Sequence, residues 1–270
     1  MSIQMIGDRG DWKKIPQDSD LIDKLNREAD KQPKSPIPTT QPAPQAHPSA
    51  PANVSSAQDY WSILVNYKNR ICTIDLAKSL LDNGSAKTQV DWAEYRKLAE
   101  PKGEFYTGDM PLYFSVLLAF SKANGKDAEE AKEFLKSQMR TRWLITLTRI
   151  KYNLKGSDEV IHNFGTNQEY NFKTKFVGRE EWIKNSKDTS YLEALLGTKD
   201  IPQINSVFQA INGTDAYIYR VSSKPKKTDE YVARFDANTG GANLSCGRGP
   251  DYSYASLGVR IASVASRSAK

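Results

Sequence analysis

The chain has 270 residues, 39% hydrophobic and 26% charged, an ordinary globular composition with enough length for one sizeable core or two modest ones. Its net charge of +6 comes from residues 141–270, which hold 19 basic and 13 acidic side chains, while residues 1–56 and 57–140 are each balanced. Two distant cysteines (Cys72, Cys246) and two histidines (His47, His162) are too few for a structural zinc site of the usual kind, and no run of about eighteen apolar residues is present to span a membrane.

The first residues hold no apolar core of signal-peptide length, so the expectation is a soluble chain, cytoplasmic or particle-associated. Residues 1–58 read as a disordered tail and a Pro-rich linker. From about 31 to 58 the segment is rich in Pro, Ala, Ser and Gln, with too little apolar surface to offset its ordering entropy. Leu21, Ile22 and Leu25 make a weak amphipathic patch over 19–28, suited to a fraying or partner-docking helix. Residues 59–140 read as a helical region. Residues 60–67 and 74–81 fit short helices, and 91–99 fits another with Trp92, Tyr95 and Leu98 on one face. Residues 111–120 are apolar all round, which marks a central helix capped by Asp109 with Pro111 in its first turn. Asp127 and Glu130 have capping-box spacing for a further helix that would bury Ala131, Phe134, Leu135 and Met139.

The character changes near residue 141. Residues 142–152 are β-branched and aromatic, and 159–164 form a short strand candidate. Tyr170, Phe172, Thr174 and Phe176 alternate with Asn171, Lys173 and Lys175, as in a strand with one wet face. Helices at 189–196 and 202–211, closed by Gly197 and Gly213, interrupt strands at 216–221, 231–235 and 257–261. The fold class is therefore α+β, a helical region packed on antiparallel strands of residues 141–270, with both parts able to share one domain.

Catalytic motifs are scarce. Gly240, Gly241, Gly247 and Gly249 lie between strands and lack the helix N-terminus that a phosphate cradle needs. Cys246 with a distant His162 is one nucleophile–base pairing to weigh. No helix N-terminus lowers the thiol's pKa, however, and His162, flanked by Ile161 and Phe164, reads as structural. The adjacent carboxylates Glu129/Glu130, Glu180/Glu181 and Asp229/Glu230 do not face one site. No enzyme, cofactor or metal site is expected. Arg149, Lys151, Lys173 and Lys175 interleave with Trp143, Tyr152, Tyr170 and Phe172, a mixture suited to single-stranded nucleic acid. Strand alternation sends lysines and aromatics to opposite faces and assigns the aromatics to the core. Nucleic-acid binding by the basic second half is the alternative function.

Residues 231–262 read YVARFDANTGGANLSCGRGPDYSYASLGVRIA. Two alternating runs, 231–235 and 257–261, bracket about twenty residues dominated by Asn, Gly, Ser, Asp and Tyr, the composition of a recognition loop. Asn238, Asn243, Ser245, Arg248, Asp251, Tyr252, Ser253 and Tyr254 are its candidate ligand-binding residues. Tyr252 and Tyr254 would be aromatic anchors and Arg248 a charged contact, on strands near Val232 and Val259. The loop is expected to face solvent between two paired strands. The strand YVARF, this loop and the closing strand LGVRIA resemble the variable region of C-type-lectin-fold proteins diversified by retroelements, particularly archaeal and archaeal-virus members. Related formylglycine-enzyme-like folds also finish on a G-[VF]-R strand, here Gly258, Val259 and Arg260. The resemblance implies a C-type-lectin-like fold and a non-enzymatic display protein. Its loop would be varied by adenine-directed mutagenesis to bind a protein or surface ligand.

Overall fold

In a computed structural model, which describes residues 53–174, 180–187, 189–219 and 227–265, the first elements are strands. They are β1 (Val54–Ser56), β2 (Tyr60–Tyr67) and β3 (Arg70–Leu80), so the helices expected at 60–67 and 74–81 are corrected to a meander. The physical reason is a period of two: Trp61, Ile63, Val65 and Tyr67 are buried, while Leu64 and Asn66 point out. The outward Leu64 blurs that alternation in the sequence. Lys68 and Asn69, with φ of 52° and 58°, supply the doubly left-handed two-residue turn that sets Tyr67 opposite Arg70. Val54–Ser56 pairs with β2, Val54 opposite Ile63, and so lies in the fold rather than in the expected tail.

Three helices follow. In α1 (Gln89–Ala99), Thr88 and Asp91 form a reciprocal capping box. At the start of α2 (Met110–Lys122), the Asp109 carboxylate accepts from the Leu112 N–H at 2.9 Å, with Pro111 in the first turn as expected. The next helix, α3 (Lys126–Thr141), starts at Gly125 without a side-chain cap, so the capping box expected from Asp127 and Glu130 does not form. Asp127 instead sits in the first turn, where its charge suits the helix dipole. Ala131, Leu135 and Met139 are buried as expected, and Phe134 packs half-buried against Trp61.

The remaining elements are β4 (Leu144–Tyr152), β5 (Asp158–His162), β6 (Tyr170–Thr174), β7 (Glu181–Trp182), α4 (Thr189–Leu196), α5 (Ile201–Asn212), β8 (Ala216–Tyr219), β9 (Asp229–Ala237), β10 (Ala242–Arg248) and β11 (Leu257–Val264). They build two sheets, a four-stranded one in the order β1-β2-β3-β11 and a seven-stranded one in the order β6-β5-β4-β9-β10-β8-β7. The larger sheet is mixed, not wholly antiparallel as expected, because β10 hairpins onto β9 and then lies parallel to β8. With five α-helices among the described residues the fold is α+β.

A single hydrophobic cluster joins residues from both sheets with α2, α3, α4 and α5, so the regions 59–140 and 141–270 share one core. The described residues belong to one compact unit. The expected tail helix at 19–28, most of the linker, His47, Lys175, Phe176 and Val221 lie outside the described residues.

The Gly258-Val259-Arg260 run explains itself in β11. A Cβ on Gly258 would come within 2.9 Å of Leu81 and 3.1 Å of Ala77, so only glycine lets β11 lie this close. Val259 is fully buried. Arg260 pairs with Asp75 at 2.8 Å and lies over the rings of Tyr60 and Phe105.

Candidate functional site

The strands β9 and β10 send alternate residues to opposite faces of the large sheet. Ala233, Phe235, Ala237, Ala242, Leu244 and Cys246 enter the main core. Val232, Arg234, Asp236, Asn243 and Ser245 share the other face, where antiparallel register sets Asn243 beside Asp236 and Ser245 beside Arg234. The side chains bond accordingly: Asn243 Nδ2 donates to Asp236 Oδ2 at 2.8 Å, and Arg234 Nη2 donates to Ser245 Oγ at 2.7 Å. Parallel pairing with β8 extends this face to Tyr217 and Tyr219, and Trp182 of β7 packs edge-on against Tyr217. Gly241 gives the Trp182 ring room here, since a Cβ would approach it to 3.1 Å and make the ring give way. Toward β4 the same face is covered by α1, where Trp92 meets Ile145, Leu147, Val232 and Tyr254 in a second small core.

The connector between β10 and β11 completes the site. The Tyr254 backbone is clamped: its N–H donates to the Lys87 carbonyl at 2.9 Å, and its carbonyl accepts from Lys87 N–H and from Trp92 Nε1. Tyr252 has one long backbone bond, 3.5 Å to the Gly249 carbonyl. Side chains form a ladder: Arg248 lies over Tyr252, Tyr252 stacks on Tyr254, and Arg234 is held between Tyr254 (4.3 Å to the ring centre) and Trp143 (4.9 Å). Burial pulls the Arg234 pKa down and pushes the Asp236 carboxyl up.

The expected loop is thus partly a strand, because β10 runs through its middle. Its bracketing strands do not pair with each other either, since β9 belongs to the large sheet and β11 to the small one. Asn243 and Ser245 are buried by the strand neighbours they bond, and Tyr254 is 7% exposed. Arg248, Asp251, Tyr252 and Ser253 are exposed. Asn238 is exposed too, but its side-chain oxygen accepts from the Gly240 and Gly241 N–H groups and shapes the hairpin turn. Arg234, Asp236, Tyr217 and Trp182 were not among the expected site residues. The signal for the first two was the alternation of charged with apolar residues in YVARFDA.

His162 is a satisfied core residue. Its Nε2–H donates to the Ala194 carbonyl and its Nδ1 accepts from the Thr148 hydroxyl, both at 2.8 Å, which defines a neutral tautomer that burial favours. Both ring nitrogens are therefore engaged away from Cys246, and Cys72 and Cys246 are buried thiols. Nearby, the buried Asp109 cap also accepts from the hydroxyls of Tyr67 (2.7 Å) and Tyr170 (3.0 Å).

Among the described residues, the basic and aromatic side chains weighed for nucleic acid do not gather on one surface. Arg149 is buried and bonded to Glu230 and Gln89, and Tyr152 is in the core. Phe172, assigned to the core by alternation, is exposed on the edge strand β6 beside His162 and Tyr170. Among the described residues no cluster of His, Cys, Asp and Glu is placed to hold a metal ion, and no helix is long and apolar enough to cross a membrane. No family model matches the chain, and no curated protein or solved structure matches it significantly.

Proposed function

We propose that this chain is a non-enzymatic ligand-binding protein that displays a recognition surface on the β9–β10 hairpin and the turn after it. The observation that carries the reading is the ladder of Arg248, Tyr252, Tyr254 and Arg234, an exposed aromatic and cationic edge continuous with a clamped, buried base. Tyr252 is the contact residue, being 54% exposed. Tyr254 acts as its support. Within this proposal the α+β unit is C-type-lectin-like and the surface is diversified as in retroelement variable proteins of archaea and their viruses. The glycine that lets β11 pack against Leu81 and Ala77 supports a scaffold kept constant beneath a varied edge.

Two measurements test it. The coding DNA should carry a nearby near-repeat of segment 236–260 differing at adenines, beside a reverse transcriptase, and its absence removes diversification. Glycan and protein arrays probed with the whole chain should lose their signal in Tyr252→Ala, and unchanged binding by that variant removes the surface. The alternative, nucleic-acid binding, rests on the basic excess of residues 141–270. A DNA titration without salt-dependent affinity excludes it.

A further inference from the structure

Arg234 is a buried cation that makes no ion pair among the described residues, the Asp236 carboxyl acting on it only from a distance. It is 3% exposed, its Nε and Nη1 groups have no acceptor, and its one hydrogen bond goes to the neutral Ser245 hydroxyl. Asp236, on the same face, is bonded to Asn243 instead. A charge held this way is destabilising unless something of opposite sign completes it, because a hydroxyl and two ring faces return less than water does.

The two rings that flank this guanidinium also form the wall of an open cleft of about 620 Å³, its mouth included. Arg140 and Arg142 line the cleft with Ser253, and no Asp or Glu does. Arg140, Arg142, Arg234 and Arg248 make no ion pair among the described residues, although eleven ion pairs occur elsewhere. The Tyr254 hydroxyl is buried without a partner beside the same cleft.

We propose that this cleft binds an oxyanion, a carboxylate or phosphate group of the ligand, and that Arg234 is the buried residue that neutralises it. The inference rests on the ligand-binding reading above and names the chemistry the ligand carries. Tyr254 keeps its place through its clamped backbone, whereas Trp143, 39% exposed at the junction of α3 and β4, is the ring that turns to admit the anion. Such rotamer changes are common on binding. Arg142 then meets the anion from the solvent side.

The test is thermal unfolding of the full chain in sodium chloride, inorganic phosphate and succinate at matched ionic strength, with tryptophan emission followed in parallel. One or both oxyanions should raise the wild-type Tm saturably above the chloride control, as a ligand of the folded state does. A response to phosphate alone identifies a phosphate-bearing ligand, and a response to succinate alone a carboxylate. Arg234→Met should weaken the response at least about tenfold, the worth of a charge-assisted hydrogen bond, without lowering the Tm in chloride. Arg142→Gln, at an exposed position, should weaken it several-fold whether or not the Arg234 variant folds. The proposal is overturned if neither oxyanion exceeds chloride, or if either variant responds as the wild type does. Tyr252-dependent array binding that persists without an oxyanion effect would discard this inference alone, while an oxyanion effect beside array binding that Tyr252→Ala leaves unchanged would keep the anion site and remove the display surface.

Discussion

Tyr252 and Tyr254 lie two positions apart in one turn, yet burial separates their roles. Tyr252→Ala should leave the unfolding free energy within about 1 kcal/mol in urea titrations, because an exposed ring contributes little to the core. Tyr254→Ala should lose about 3–5 kcal/mol, since Trp92, Ile145, Leu147 and Val232 pack around it. Titration provides a second check. Burial holds His162 below its ordinary value near 6.5, so the stability it contributes is present above that value and is lost as the pH falls through the folded pKa. Unfolding curves between pH 7.5 and 5 should show that loss, and His162→Gln should flatten it. Asp236 has the opposite sign. Its carboxyl is pushed up by burial, so its contribution is greatest below the ordinary carboxylate range and is lost as the pH rises through the folded pKa. Asp236→Asn should therefore raise the Tm at pH 7.

Strand β10 is the element whose composition hid it. Asn243, Ser245 and Gly247 read as loop residues, while the alternation of Ala242, Leu244 and Cys246 into the core was present in the same seven positions. A strand of Asn and Ser becomes stable when its polar face finds partners, and Asp236 and Arg234 supply them. Strand β2 was misread for the complementary reason, because outward Leu64 made its apolar content look helical. Glycine positions offer a direct test of the close approaches. Gly258→Ala should cost about 1–3 kcal/mol in chemical denaturation through overpacking against Leu81 and Ala77. A neutral result would show that β11 can move away from them.

At the level of the whole chain, β11 returns to pair with β3 across about 180 residues and closes the small sheet. Tyr106 and Val259 exchange backbone N–H to carbonyl bonds across the outer edge of β11, and Arg260 pairs with Asp75 of β3, so several elements depend on this last strand. A chain ended after Ser256 should lose its near-UV circular dichroism and its cooperative transition. The intact protein should unfold in one step, because one core joins both sheets to α2 and α3.

Local chemistry in the chain was enough to specify the helices α1, α2, α4 and α5, the strand character of β4, β9 and β11, and an α+β class, since caps, turn glycines and periodicity act over a few residues. The exposed edge at Arg248, Asp251, Tyr252 and Ser253 was legible in the same way, from composition. Tertiary structure decided the rest. Which strands pair, that β10 runs parallel to β8, and that Arg234 ends between Trp143 and Tyr254 with two N–H groups unanswered depend on neighbours distant in sequence. Burial is a property of the packed molecule, and burial is what separates the exposed Tyr252 from the covered Tyr254 and the exposed Arg248 from the enclosed Arg234.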